Sequence, residues 1–435
     1  MSFESFVTGL QNELVDPTTK SVKLLFVGTH FQQASGYAKV SHGIIRELAK
    51  LPWLEVVHFG IQSNPSISLN RPYPSNVKVY DARAHETKKE EGFGYSEIVS
   101  VMEAEKPNLV FLYNDIAVCT KYLNQIIPLK VSGKQSFQVW TYLDQVYECQ
   151  PPVELESIQR DSDRFFVFTK EWRDILKRQG VTRPIDVLNH GFDPVVFQVS
   201  ELTKSEARAK MNIPNDIFLF LNVNRNQPRK RHDLLIMAFV DLIVRHPSKS
   251  VFLMCVCDKG DKGGFPIFDI FTRELLLRGA NPEQFKNRLL ISARDMTFTD
   301  EEVGLFYRIA DVGVTAADGE GFGLCTFEQM GLGVPQIVSD VVGHREYCKK
   351  DNSQIVPTAL RIYMPVCLSG IGGDPHLVDP KVFADAMENY LLHDDIRFLH
   401  GENAKKTVEG YTWPKVTETL VKRLELFKAE LSISD

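Results

Sequence analysis

The feature that most constrains the fold of this chain is a repeated alternation of short apolar runs with longer amphipathic segments. A first series of runs, rich in Val, Leu and Phe, lies at Val22 to Val27, Glu55 to Phe59, Leu109 to Tyr113, Phe137 to Tyr142 and Arg164 to Phe168. A second series begins afresh with Ile217 to Val223, Ser250 to Val256, Arg288 to Ile291, Val312 to Thr315 and Pro335 to Val338. Buried parallel strands joined by crossover helices have this pattern. The sequence therefore predicts an α/β protein with two doubly wound, Rossmann-like domains.

The two series also predict where the domains divide. The 435 residues suffice for two or three domains at roughly 150 residues each. We place the first domain at residues 1–195 and the second at residues 196–413. Ligands of open α/β sheets bind beyond the carboxyl ends of the strands, so two such domains facing each other would enclose a cleft. The amphipathic segment within residues 414–435 could pack back on the first domain.

Composition and charge exclude several classes of protein. Charged residues make up 24% of the chain and hydrophobic residues 43%, which is typical of globular proteins and excludes a disordered chain. The formal net charge of −6 argues against a general nucleic-acid binder. Seven cysteines without the spacing of a zinc site or of a small disulfide framework indicate a reducing compartment. Since the N-terminal residues also lack a signal pattern, we expect a cytoplasmic protein, with a peripheral membrane contact left open.

The first candidate segment runs from Phe26 to Tyr37 and contains a predicted strand, a break at Gly28 and a helix that starts at Ser35 or Gly36. Such a turn exposes backbone N–H groups at a helix N-terminus, where they suit an anion or sugar hydroxyls. The segment has neither the Gly-x-Gly-x-x-Gly dinucleotide fingerprint nor a Walker loop. An ordinary βα turn would have the same pattern.

The second candidate segment, Asn222 to Asp233, places four cations in one βα loop after a predicted buried strand. The guanidinium of Arg225 and the ammonium of Lys230 suit a diphosphate, because phosphates bind at the carboxyl edge of such sheets. A solvated basic turn is the alternative for this segment alone. A nucleic-acid site is less consistent with it, because no aromatic residue lies among these cations.

The third candidate segment, Ala317 to Pro335, is a glycine-rich loop followed by a predicted helix. Glu320 falls in the loop and Glu328 about one turn inside the helix. Eight positions of helix span on the order of 12 Å, which exceeds the roughly 5 to 9.5 Å between the carboxylates of glycoside hydrolases. We therefore expect the two carboxylates to contact different parts of one long ligand. The backbone N–H groups of Phe322, Gly323 and Leu324, with Gly321 before them, would point at a phosphate.

Taken together, these segments resemble the retaining glycosyltransferases of family 4, including members encoded by large algal viruses. Arg225 and Lys230 match the family's Arg and Lys five positions apart, and Glu320 and Glu328 match its two glutamates within Gly-Glu-Gly-Phe-Gly-Leu and the residues after it. The resemblance implies the GT-B fold, with the two domains facing across a cleft. It also implies that Arg225 and Lys230 grip the donor diphosphate, that Glu320 faces the donor sugar, and that Glu328 binds the ribose hydroxyls.

The chain departs from the family pattern at three places in the predicted first domain and the linker. The first loop has only Gly36 where a glycine pair is common. Leu143 stands before Asp144 where many members have a histidine, so Asp144 becomes the cleft candidate, with a helix N-cap as the alternative. His190 lies in a segment similar to the family's Asn-Gly-Val-Asp, which makes it a cleft candidate or a loop histidine with satisfied hydrogen bonds.

The predicted function is transfer of a sugar from a GDP-sugar or UDP-sugar to a hydroxyl of a glycan or glycoconjugate, with retention at the anomeric carbon. Its catalytic candidates are Glu320, Arg225, Lys230 and Asp144. No cofactor and no metal ligand are predicted. Two alternatives share the architecture: a nucleotide-sugar epimerase or phosphorylase, and a non-catalytic protein that binds a nucleotide sugar.

Overall fold

The computed structural model describes residues 22–66, 69–197, 202–257, 264–292, 297–366 and 371–433. Within these residues, the first half of the chain forms a seven-stranded parallel sheet in the order β3-β2-β1-β4-β5-β6-β7. Its strands are β1 (Val22–Thr29), β2 (Leu54–Ile61), β3 (Lys78–Asp81), β4 (Leu109–Asn114), β5 (Gln138–Leu143), β6 (Arg164–Val167) and β7 (Ile185–Val187). Its helices are α1 (Gly36–Leu48), α2 (Ala82–His85), α3 (Ile98–Glu105), α4 (Ile116–Val131), α5 (Pro152–Asp161) and α6 (Lys170–Arg178).

The second half repeats this plan. Its described strands form a six-stranded parallel sheet in the order β10-β9-β8-β11-β12-β13. These are β8 (Phe218–Val223), β9 (Val251–Val256), β10 (Leu289–Ile291), β11 (Val312–Thr315), β12 (Gln336–Ser339) and β13 (Ser353–Val356), followed by an antiparallel pair, β14 (Thr358–Arg361) and β15 (His376–Val378). The helices are α7 (Lys204–Lys210), α8 (His232–Arg245), α9 (Ile267–Leu277), α10 (Pro282–Phe285), α11 (Asp300–Ile309), α12 (Leu324–Gly331), α13 (Val342–Arg345), α14 (Pro380–Leu392), α15 (Asp394–Val408) and α16 (Trp413–Ile433). The two doubly wound sheets confirm the predicted fold class.

Each sheet has its topological switch point beside its first strand. In the first sheet β1 lies between β2 and β4, and in the second β8 lies between β9 and β11. At these points the crossover connections from two adjacent strands run to opposite sides of the sheet. The loops at the carboxyl ends of these strands therefore separate and leave a crevice between them. The topology thus predicts a ligand site among the loops after β1, β4, β8 and β11.

The strands that the sequence did not predict have weak apolar signals. β3, β7 and β13 lie at sheet edges, and β3 and β7 have largely half-exposed residues, so they lack the continuous apolar run of a central strand. β1 was predicted to break at Gly28, and this is wrong, because the strand continues to Thr29 in register with β2. Gly28 is needed there for packing, since a Cβ would lie 2.7 Å from the Phe26 ring.

The last helix returns to the first half of the chain. α16 packs against α1, and its apolar residues Leu420, Leu424 and Phe427 are buried in the same core as the first sheet. Phe427 contacts the ring of Trp140, with 5.8 Å between ring centroids. This packing ties the C-terminal segment to the first sheet.

Candidate active site at the facing sheet edges

A cavity of about 210 Å³ lies where the carboxyl edges of the two sheets face each other. From the first half it is lined by the loop after β1, by Tyr113 at the end of β4, and by Asp144 after β5. From the second half it is lined by the loops that follow β8 and β11. The cavity therefore lies at both switch points at once, where an open α/β sheet binds its ligands.

The loop after β1 brings a helix N-terminus to this cavity. The Ser35 hydroxyl caps α1 by accepting a hydrogen bond from the N–H of Ala38, at 3.3 Å. A Cβ on Gly36 would lie 3.2 Å from Cδ2 of Leu324, the first residue of α12. The N-terminal ends of α1 and α12 thus lie next to each other at the cavity, and the first turn of a helix has backbone N–H groups without intrahelical partners.

Asp144 lies on the first-sheet wall of the cavity. The Tyr37 hydroxyl donates a hydrogen bond to its Oδ2 at 2.5 Å. Burial raises the pKa of Asp144, and the bond from Tyr37 opposes this shift. Asp144 does not cap a helix in the structure. Leu143, the preceding residue, ends β5 with its side chain in the core.

The basic loop after β8 contributes three cations to the cavity wall. Arg225 is exposed, and it forms no ion pair with any residue that the structure describes. Arg229 donates hydrogen bonds to the backbone oxygen of Gly319 at 3.3 Å and to Oε2 of Glu320 at 3.1 Å. Lys230 ends a short 3₁₀ turn and forms an ion pair with Oε1 of Glu320.

The charges of this group are strongly coupled. Burial would raise the pKa of Glu320, but Lys230 and Arg229 outweigh it and lower this pKa to about 2. Burial and the neighbouring Arg229 cation lower the pKa of Lys230. Glu320 is therefore a carboxylate at neutral pH, and it partly neutralises two cations that would otherwise face the cavity.

The glycine-rich loop after β11 is held by hydrogen bonds to its backbone oxygens. The indole N–H of Trp172 donates to the oxygen of Gly321 at 2.8 Å, and the hydroxyl of Tyr347 lies 2.8 Å from the oxygen of Phe322. A Cβ on Gly321 would lie 2.0 Å from Oδ1 of Asp144, so only glycine allows the two walls to approach this closely. Gly323 has φ of 83°, a conformation that favours glycine, and directs the chain into α12.

His190 lines the cavity between two aromatic rings. Its ring centroid lies 4.4 Å from that of Phe168 and 4.5 Å from that of Phe322. The residue is 4% exposed, and neither ring nitrogen has a hydrogen-bond partner in the structure. Burial lowers its pKa to about 3, so it is a neutral imidazole with one donor and one acceptor available.

The structure does not bring Glu328 into this cavity. Its carboxylate accepts from Lys39 at 2.8 Å and from the hydroxyl of Tyr307 at 2.8 Å. It lines a neighbouring void of about 30 Å³ instead. The other predicted site residues line the main cavity: Gly36, Asp144, His190, Arg225, Lys230, Glu320, Gly321, Phe322, Gly323 and Leu324.

Sequence reasoning missed three residues of this region. Arg229 was visible only as one of four cations in its loop, without a separate role. Tyr37 and Lys39 follow the glycine turn, but their partners Asp144 and Glu328 lie 107 and 289 positions away. No local pattern predicts such pairs.

Comparison with solved structures identifies the class of fold. Sucrose-phosphate synthase from Thermosynechococcus elongatus superposes with a TM-score of 0.70 at 16% identity, over 94% of this chain and 100% of that chain. Anabaena HepE, solved in complex with UDP and glucose, superposes with a TM-score of 0.66 at 12% identity, over 93% and 99% of the two chains. The chain has the GT-B fold, in agreement with the prediction.

Part of the chain also matches known glycosyltransferases in sequence. Residues 203–362 match the family described as glycosyl transferases group 1. A D-inositol 3-phosphate glycosyltransferase of Streptosporangium roseum is 30% identical over 162 residues, 37% of this chain and 35% of that protein. The corresponding protein of Corynebacterium kroppenstedtii is 26% identical over 263 residues, 59% of this chain and 52% of that protein. The matches thus span about a third to a half of these relatives.

Two further findings concern metals and membranes. In the described ranges, no group of three or more His, Cys, Asp or Glu side chains is arranged to hold a metal ion. None of the helices described is both long enough and apolar enough to cross a membrane.

Proposed function

We propose that this protein is a retaining glycosyltransferase of family 4 that transfers a sugar from a UDP-sugar or GDP-sugar to a hydroxyl of a glycan or glycoconjugate. The second domain, residues 196–413, would bind the donor and the first, residues 1–195, the acceptor. The observation that carries the proposal is the exposed Arg225, which has no ion-pair partner in the described part of the chain and lies in a cavity that also contains Arg229 and Lys230. The family match of residues 203–362 and the similarity to D-inositol 3-phosphate glycosyltransferases support the same activity.

The diphosphate of the donor is the ligand that best fits this wall. Arg225 offers a bidentate guanidinium, and Lys230 a point charge. The N–H groups at the start of α12, after Gly323, would add the positive end of a helix dipole. When the diphosphate binds, it would share Lys230 and Arg229 with Glu320, which holds both cations in place beforehand.

The chemical step would break the bond between the anomeric carbon and the diphosphate oxygen and form a bond from that carbon to the acceptor oxygen. Negative charge develops on the departing diphosphate, where Arg225, Lys230 and the backbone N–H groups would stabilise it without a metal. Glu320, with a pKa of about 2, is a poor general base. We therefore propose that the departing diphosphate accepts the proton of the acceptor hydroxyl on the same face of the sugar, which gives retention.

The remaining predicted residues would orient the donor. Asp144 and His190 present polar atoms to the space in front of the glycine-rich loop, where the donor sugar would lie. Glu328 would bind the ribose hydroxyls only after its contact with Lys39 opens, so we propose that donor binding breaks this contact. Gly36 would let the donor approach the N-terminus of α1 without a side chain in the way.

The six described cysteines are all free thiols, which is consistent with a protein that works in the reducing cytosol. A peripheral contact with membrane-bound acceptors remains part of this proposal.

Thermal denaturation with UDP, GDP, ADP and CDP in parallel tests the nucleotide site without an acceptor. A ligand at about 100 times its dissociation constant adds roughly 2.7 kcal/mol of stability. We expect UDP or GDP to raise the midpoint and the other two nucleotides to have less effect, equally with and without EDTA. No shift with any nucleotide would contradict the proposed diphosphate site.

A further inference from the structure

A further small void, distinct from the one beside Glu328, adjoins the main cavity on the side of the first sheet. It has a volume of about 20 Å³, and Asp115, Asp144, Gln145, Glu154 and Gly372 are among the residues that line it. Asp115 follows β4, and Asp144 and Gln145 follow the neighbouring strand β5. Asp144 lines both cavities. A group held in the smaller void would therefore lie next to the place proposed for the donor sugar.

Three carboxylates line this void, and none of them forms an ion pair with a described Lys or Arg. Asp115 accepts from the backbone N–H of Val118 at 2.9 Å, and Asp144 accepts from Tyr37. Burial raises the pKa of all three, and the charge of Asp115 further raises the pKa of Asp144 and Glu154. The charges of Arg229 and Lys121 oppose these pKa shifts at Asp144 and Asp115 but do not outweigh burial, so the protein compensates the negative charge of this wall only in part.

Gln145 provides an independent sign that a ligand belongs here. The residue is 2% exposed, and neither the oxygen nor the nitrogen of its side-chain amide has a hydrogen-bond partner among the described residues. Leaving a buried amide without partners costs free energy. A ligand with both donors and acceptors would satisfy it.

The carboxylates of this wall favour an organic cation over a metal ion. Among the residues that the structure describes, no three His, Cys, Asp or Glu side chains are placed to hold one metal ion. A protonated amine has one positive charge and three N–H donors, so it can donate hydrogen bonds to carboxylates that are not arranged as ligands of one metal ion. A void of this volume has room for about one group of that size.

We propose that this void is the acceptor subsite and that the acceptor is a sugar bearing a protonated amine. Its ammonium group would lie among Asp115, Asp144 and Glu154, and a neighbouring hydroxyl would bond Gln145. The rest of the acceptor would extend past Asp144 into the main cavity, with the reacting hydroxyl towards the donor. This inference rests on the proposed function, because it takes the main cavity as the donor site.

Ligand-observed NMR tests it with three probes: methyl α-D-glucosaminide, methyl α-D-glucoside and methyl N-acetyl-α-D-glucosaminide. Each is titrated into the full-length protein in the presence of the nucleotide that stabilises it. We expect the amine to bind at least about tenfold more tightly than the two neutral sugars, since hydrogen bonds to charged groups have this order of strength. Equal binding of the three sugars, or no binding of any, would overturn the proposal.

Substitutions in the wall of the void test whether the amine binds there. Glu154→Gln removes one charge from its wall and should weaken binding of the amine about tenfold. Asp115→Asn keeps a side chain that can cap α4, so it provides a second test with little risk to folding. Glu156→Gln is the matched control, because Glu156 is exposed on the same helix as Glu154 and does not line the void. If Glu154→Gln and Glu156→Gln bound the amine equally, the void would not be its site.

Nucleotide binding by the same samples separates the two proposals. If the wild-type protein binds a nucleotide but does not prefer the amine, only the acceptor assignment fails. If no nucleotide binds, the proposed function itself fails.

Discussion

Replacing Lys230 with methionine tests the diphosphate site most specifically. Methionine keeps an unbranched chain in a position that is 8% exposed, while it removes the ammonium that contacts Glu320. A hydrogen bond to a charged group contributes about 1.5–3 kcal/mol, which corresponds to roughly 10- to 150-fold in a dissociation constant. Since Arg225 and Arg229 remain, we expect a value near the lower limit, about 10- to 30-fold weaker binding of the nucleoside diphosphate.

Isothermal titration calorimetry with UDP and GDP measures this change directly. Lys204→Met is the matched control, because the Lys204 side chain is 42% exposed and pairs with Asp311 away from the cavity. The control should bind the nucleotide as the wild type does. If Lys230→Met bound within about twofold of the wild type, the assignment of Lys230 to the diphosphate would be refuted.

Three further predictions concern contacts at the cavity and between the two halves of the chain. Gly321→Ala should lower the free energy of unfolding by about 1–3 kcal/mol, because its Cβ would collide with Asp144 Oδ1, and an unchanged urea midpoint would show that this approach is not real. Arg71→Met should cost about 3 kcal/mol in the same assay, because it leaves Asp300 without its buried bidentate partner, at 2.6 and 2.7 Å. A loss below about 0.5 kcal/mol would contradict it. Glu320 has a pKa lowered from 4.5 to about 2, so it contributes about 3 kcal/mol above pH 4.5 that is lost as pH falls towards 2. The stability difference between wild type and Glu320→Gln should therefore shrink on acidification, whereas a difference independent of pH would argue against this ion pair.

The sequence predicted the central parts of the fold because those parts carry strong local signals. Strands such as β1, β8 and β11 are buried on both faces, so their apolar runs are continuous. The edge strands β3 and β7 are largely half-exposed, and the sequence did not predict them. Their formation depends on pairing with a neighbouring strand rather than on their own composition.

The candidate site also has a part that the sequence predicts and a part that it does not. Arg225, Lys230 and Glu320 meet because the loops after β8 and β11 are adjacent at a switch point, which the βα rhythm implies. The contacts of Asp144 with Tyr37 and of Glu328 with Lys39 depend instead on how side chains far apart in sequence meet in three dimensions. The spacing of eight positions from Glu320 identified Glu328 as a candidate. It could not show that the carboxylate of Glu328 forms an ion pair with Lys39.

Donor turnover followed by NMR tests the proposed glycosyl transfer most directly. The purified protein is incubated with panels of UDP-sugars and GDP-sugars and a mixture of sugar acceptors, and both phosphorus and anomeric proton signals are recorded. We expect release of the nucleoside diphosphate from one donor class and a new glycoside with the anomeric configuration of that donor. An epimerised donor, a free sugar phosphate, or a product with inverted configuration would contradict it.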